Sequence, residues 1–234
     1  MLNPIEEKKF EDLKALFREL KVPAPPEIMI GLKVHDRNSV LIFDDVQRGH
    51  SWTRNFWNFM FSATIDAPGD SSGLFGAGYM SGKTTGGTIR SSGVVAQRAG
   101  NAAVGYGITD NTTAFGIMVG TGDTAFSIDN FVLVTPIASG NSGSKLYYQA
   151  QVAPVVAYTA GTKTWKTTHH RIFNNNSGGS ITVKEVGLYW SGNLFWSAVV
   201  NLFERSVLSP TVAVPNGAQL TVTYQISMDF SAID

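Results

Sequence analysis

The chain has 234 residues, enough for one domain of ordinary-to-large size with a real core. Its 18 Lys and Arg balance 18 Asp and Glu, and charged residues make only 15% of it, which excludes the basic surface that nucleic-acid binding needs. Cysteine is absent, which removes disulfides, thiolate nucleophiles and Cys-based metal sites, and no stretch reaches the ~18 apolar residues of a membrane span.

In chain order, residues 4 to 21 have the marks of a helix. Pro4 suits a first turn, Glu6, Glu7, Glu11 and Asp12 lie toward the positive end, and Phe10, Leu13, Phe17 and Leu20 recur at helical spacing. It has no uninterrupted apolar stretch of the secretory kind, so the expectation is a chain made in the cytoplasm that stays soluble there or is carried elsewhere as part of an assembly. The stretch "KVPAPPE" then supplies a stiff extended linker. Residues 1–26 are therefore expected to form a docking arm, with packing of the helix on its own domain as the alternative, and residues 27–234 a β domain. "EIMIGLKVHDRNSVLIFDDVQRG" predicts two strands around a turn at Asp36, Arg37 and Asn38. In "HSWTRNFWNFMFSAT", Ser51 is the predicted cap of a short aromatic-rich helix with Trp52, Phe56, Phe59 and Met60 on one face, broadened by Trp57 and Phe61.

From residue 64 to residue 113 the composition shifts to Gly, Ser, Thr, Ala and Asn, which predicts a long loop region with short strands, for instance around "GVVAQRA". Within it, "FGAGYMSGKTTGG" places Ala77, Gly82, Lys83 and Thr84 almost as in a phosphate-binding P-loop. A P-loop needs a buried strand before the turn and a helix after it. The flanks here are a Pro-Gly-Ser-Asp loop and a run of Thr, Gly and Ser, so an NTPase is not expected.

The C-terminal half is β-rich. "TAFGIMVGTG", "NFVLVTPI", "KLYYQAQVAPVVAYT", "THHRIFNN", "ITVKEVGLYW", "NLFWSAVV" and "QLTVTYQISMDF" are predicted strands separated by Gly, Ser, Asn and Pro turns. Leu220, Val222, Tyr224 and Ile226 alternate with Thr221, Thr223 and Gln225, so the last strand has one buried face. Many short strands with polar turns predict a mainly β fold, an antiparallel β-sandwich of jelly-roll-like type carrying an N-terminal amphipathic helix and a short aromatic-rich helix.

The phrases "VGTG" (Val119 to Gly122), "TPI" (Thr135 to Ile137), "EVGL" (Glu185 to Leu188) and the final pattern from Arg205 through Ile226, in that order, resemble a group of tailed-bacteriophage virion proteins associated with tails, baseplates or fibres. The resemblance covers roughly residues 115 to 230, and "RGHSWTRNFWNFMFSA" is similar to a phrase near the start of such proteins. It implies a non-enzymatic sandwich built into a virion, commonly as a symmetric oligomer, without saying whether in tail, baseplate, fibre or capsid decoration. The partners expected on it are copies of the chain itself, with a trimer foremost, and other virion proteins. Phe10, Leu13, Phe17 and Leu20 of the helix, with Trp52, Phe56 and Trp57, are the expected interface anchors, because large apolar and aromatic residues dominate interface energetics.

Chemistry has few candidates. His169 and His170 are adjacent on a predicted strand and so point to opposite faces, which disfavours a shared metal, and no cofactor is expected. Glu185 and Glu204 are the carboxylates available for glycoside hydrolysis; the structural alternative pairs Glu185 with Lys184, Arg205 or another cation and leaves Glu204 on an exposed strand face. Tyr147, Tyr148, Tyr158, Trp165, Tyr189, Trp190 and Trp196 supply aromatics for a sugar-stacking platform. A carbohydrate-binding or host-recognition module, with a host-surface glycan as ligand, is therefore the second functional expectation.

Overall fold

The structure is a computed structural model that describes residues 4–22, 24–49, 51–62, 81–91, 108–151, 153–194 and 197–231. Its elements are α1 (Pro4–Glu19), β1 (Glu27–His35), β2 (Leu41–Gly49), α2 (Arg54–Ser62), β3 (Ser81–Lys83), β4 (Ile89–Ser91), β5 (Gly116–Gly120), β6 (Tyr147–Tyr148), β7 (Val155–Thr159), β8 (Thr164–Asn174), β9 (Ile181–Leu194), β10 (Ser197–Val214) and β11 (Gln219–Asp229). One sheet has the order β2-β1-β11-β8-β6, with β7 also paired to β8, and the other the order β10-β9-β5. Every strand pair is antiparallel. The chain is thus mainly β and sandwich-like, with two helices among the described residues, as its alternating segments predict.

The period-two pattern does the sorting. In β1, Ile28, Ile30, Leu32 and Val34 are buried, and their register partners across β11 are Ile226, Tyr224, Val222 and Leu220. These side chains form the inner face of the first sheet, while Glu27, Met29 and Lys33 alternate onto its outer face. Opposite them, Ile117, Val119, Val183, Leu188, Leu202, Val212 and Val214 of the second sheet complete one core. The turn at Asp36 forms as expected: its Oδ1 accepts from the backbone N–H of Asn38 at 2.8 Å and of Val40 at 2.9 Å, an Asx turn that closes the β1–β2 hairpin.

Several predicted elements differ. "NFVLVTPI" is not a strand; apart from an isolated bridge at Pro136, its backbone is held by side chains of β9. "KLYYQAQVAPVVAYT" is divided into β6 and β7. Ser51 does not cap α2: the carbonyl of Thr53 accepts from the N–H of Phe56 and Trp57, and the Thr53 hydroxyl donates to the carbonyl of Leu202 at 2.6 Å, tying the helix start to β10. Residues 81–91 of the expected long loop form the β3–β4 hairpin, whereas "GVVAQRA" lies outside the described residues.

The two sheets are fastened by a buried cation. Arg171 of β8 is fully buried. Its guanidinium donates to the carbonyls of Gln149 (2.9 Å), Phe115 (3.3 Å), Ile117 (3.1 Å) and Thr112 (2.6 Å) and lies 4.8 Å from the Tyr148 ring centre. Because Ile117 belongs to β5 and Arg171 to β8, this cage crosses from one sheet to the other. Burial pushes the Arg171 pKa down to about 10, so the side chain stays charged at neutral pH. Arg171→Met keeps much of the volume but leaves buried carbonyls unpaired. It is expected to lower unfolding free energy by about 3 kcal/mol in urea titrations; a loss of under about 0.5 kcal/mol would show that the cage does not hold the sheets.

Candidate functional site

The helix α1 meets its own sheet through its charged side. The Arg48 guanidinium of β2 donates to both carboxylate oxygens of Glu7, at 2.9 and 2.7 Å, and also to Glu27 of β1. The same guanidinium lies 3.7 Å from the Phe10 ring centre. Lys14 pairs with Glu27 at 3.1 Å, and Arg18 with Asp229 of β11 at 3.7 Å. Register puts Glu27, Arg48 and Asp229 on the outer face. The leucines point away: Leu13 is 43%, Leu16 49% and Leu20 60% exposed, whereas Phe10 and Phe17 share the sheet-facing side with Glu7 and Lys14, and no residue of α1 is buried. Of the expected helix anchors, Phe10 and Phe17 are half-buried, and Leu13 and Leu20 are open.

Of the other expected anchors, Trp52 and Phe56 line a groove on the opposite, inner side of the first sheet, and Trp57 stands behind Phe56. Trp52 stacks on Phe56 at 3.7 Å and donates its indole N–H to the Pro26 carbonyl at 3.1 Å. Phe56 is itself buried, and Trp57 packs edge-on against it at 5.2 Å. Beyond them, α2, β10 and the ends of β8 and β11 leave an open apolar groove of about 370 Å³ floored by Thr167, Ile226 and Met228. The sequence marked the aromatics of α2 but not the floor, which is assembled from the paired strands β8 and β11.

The two candidate carboxylates are both buried, in separate surroundings. Glu185 pairs with Arg205 at 2.7 Å, and both side chains are 0% exposed. The Glu185 carboxylate also accepts from the N–H groups of Gly122 (3.2 Å), Val134 (3.1 Å) and Thr135 (2.8 Å). Arg205 donates in turn to Asn130 Oδ1 and to the carbonyl of Thr124. This centre binds backbone in place of a strand ladder. A Cβ at Gly120 would sit 2.5 Å from Glu185 Oε1, and one at Gly122 2.6 Å from it, so glycine at both positions is a matter of space. Residues from "VGTG", "TPI" and "EVGL", together with Arg205, therefore converge on one framework.

Glu204 is not on an exposed face as expected; it is fully buried, because a bulge between Leu202 and Glu204 falls where β10 is covered on both sides. It accepts from Tyr224 Oη at 2.7 Å and from the Ser206 hydroxyl. Burial raises its pKa to about 7, against the hydrogen bonds of Ser206 and Tyr224 and the charge of Arg205.

His169 is buried on the inner face, where desolvation lowers its pKa to about 4, and His170 is exposed on the other face. Among the described residues no group of three or more His, Asp or Glu is placed to hold a metal. Lys83 ends a strand and Thr84 begins the β3–β4 turn, with Lys83 Nζ 4.0 Å from the Phe131 ring centre, so Gly82, Lys83 and Thr84 do not open a helix. Ala77 lies outside the described residues. Of the aromatics named for sugar stacking, Tyr148 and Tyr189 are buried, Trp190 stacks on Phe203 at 5.6 Å, and Tyr147 donates to Asp110. Tyr158 and Trp165 are open, at 51% and 46% exposure; Trp196 lies outside the described residues.

Comparison of the chain with protein-family models, with curated proteins and with solved structures returns no match.

The geometry sets two expectations. Gly122→Ala forces either the Glu185 carboxylate or Val134 to move, and is expected to cost roughly 2–3 kcal/mol in denaturant unfolding; a neutral result would mean that the 121–135 segment is not anchored there. For Glu204, the folded pKa of about 7 lies above its ordinary value of 4.5. Between those values the folded chain keeps a proton that the unfolded chain has lost, so stability falls as pH rises through this window and levels off above it. Glu204→Gln is expected to remove a pH-dependent component on the order of 3 kcal/mol, seen as a flatter plot of urea midpoint against pH; an unchanged slope would assign the effect to another group.

Proposed function

We propose that the chain is a non-enzymatic structural protein of a tailed-phage virion, which assembles with copies of itself and binds neighbouring virion proteins in a tail, baseplate, fibre-associated or capsid-decorating position. The observation that carries this reading is the orientation of α1. An amphipathic helix that packs on its own domain normally turns its apolar side inward. Here Phe10 and Phe17 sit half-buried among ion pairs on the sheet side, while a second apolar row, Leu13, Leu16 and Leu20, faces outward.

Two further features support it. The residues that carry the resemblance to virion proteins converge on the Glu185–Arg205 framework, whose donors and acceptors are engaged with backbone rather than aimed into a cleft. The ionisable groups expected to offer hydrolysis are likewise committed to internal bonds. A cyclic homo-oligomer, with three copies as the foremost stoichiometry, is the form in which such a chain covers its apolar surface.

Tyr158 and Trp165 favour a second reading. They sit as register partners with ring centres 5.3 Å apart, open to solvent beside Lys163 and Lys166, which suits stacking against a sugar ring. On that reading the chain is a host-glycan recognition module.

Light scattering coupled to size-exclusion chromatography on the full chain and on residues 27–234 tests the first reading. The expected result is a closed oligomer for the full chain and a smaller species for the shortened one, which stays folded because no residue of α1 belongs to the hydrophobic core. A monomer in both forms would overturn assembly through the arm. Saturable quenching of tryptophan fluorescence by host-envelope glycans, abolished in Trp165→Ala, would instead establish the second reading.

A further inference from the structure

We infer that the exposed stripe of α1 seats in the α2 groove of a second copy, so that the chain associates front to back. This rests on the assembly reading above and specifies its contact. The two surfaces lie on opposite faces of the first sheet. Ion pairs to Glu27, Arg48 and Asp229 mount α1 on the outer face. The groove opens on the inner face, floored by Ile226 and Met228 of β11 and walled by Trp52, Phe56, Phe59 and Met60 around α2. The sheet therefore stands between a copy's own helix and its own groove, and only another copy's helix reaches the groove while the home ion pairs persist.

The surfaces match in chemistry and scale. Leu13, Leu16 and Leu20 carry no charge, and the ionisable side chain in the groove's lining, His169, is held neutral by burial, so neither surface leaves a stranded ion when water is expelled. Spacings of three and four residues put these leucines on one ridge, the arrangement that helix-in-groove recognition uses, and Met60 and Met228 are side chains that adapt to a docked ridge. The helix has 16 residues and is about 24 Å long. Each copy gives one helix and receives one, so every subunit makes the contact twice. Because helix and groove are different patches, the contact is heterologous, and repetition closes a ring when the rotation permits.

The absence of cysteine allows a direct test. Leu16 and Met60 are both exposed, so Leu16→Cys and Met60→Cys are expected to leave the fold intact. The doubly substituted full chain is oxidised at concentrations where scattering shows the oligomer, and the disulfides are mapped by peptide mass spectrometry. The expected outcome is a disulfide between the thiol introduced on α1 of one chain and the thiol introduced on α2 of another, seen as a ladder on a non-reducing gel, while either single variant gives no ladder. Leu16→Asp is expected to weaken association at least tenfold with an unchanged thermal midpoint. A disulfide joining the two introduced thiols within one chain would overturn the inference, as would an oligomer that neither cross-links nor responds to Leu16→Asp; in the latter case the assembly reading stands and this contact falls. A monomer at all concentrations would overturn both.

Discussion

The buried pair of Glu185 and Arg205 is the constraint around which the second sheet is arranged. The segment from residue 121 to residue 135 crosses that sheet without forming a strand, so its backbone N–H groups have no ladder to satisfy them. The Glu185 carboxylate accepts three of them, and the Arg205 guanidinium holds the other limb of the segment through Thr124 and Asn130. A carboxylate removed from water is costly unless it is paired and fully hydrogen-bonded, and here both conditions are met. The segment then covers the sheet by placing Leu133 in the core, its N–H donated to Tyr189 Oη at 2.6 Å. Glycines 120 and 122 are the clearance this arrangement requires.

Arg171 and Glu204 extend the same strategy to other parts of the core. Arg171 joins the sheets through carbonyls alone, and Glu204 joins β10 to β11 through Tyr224. Such groups add little net stability over an apolar core, but each accepts only one geometry, so they penalise slipped registers more than leucines do. The cost falls on chemistry, because carboxylates committed in this way are not presented to a substrate. On the proposed reading such a sandwich serves as a mount for what is attached to it.

What is attached is unevenly distributed. One face of the first sheet carries α1 on a set of ion pairs that the strand registers position. The other face ends in a groove beside α2 that Trp190 and Phe203 of the second sheet also line, with Tyr158 and Trp165 on the β7–β8 hairpin. A monomer that exposes apolar surface on two opposite sides is suited to stacking on neighbours, which links the fold to the proposed role in a virion.

The sequence by itself determined the fold class, the hairpin turn at Asp36 and the inward face of β1 and β11, because alternation and turn chemistry are local properties that survive without knowledge of neighbours. It also marked α1 and α2 as amphipathic. It misassigned "NFVLVTPI", whose composition suits a strand but whose hydrogen-bond partners are a side chain fifty residues away in sequence. Glu204 was misplaced for a related reason: a bulge shifts the alternation of β10, and burial on both faces there depends on β11 and α2. An apolar stripe likewise says that a helix face is to be covered, not which way it turns, and that was settled by Arg48, Glu27 and Asp229 arriving on one sheet face from three separate strands. Only the tertiary structure decided these points, because each depends on the distance between groups that the chain brings together from far apart.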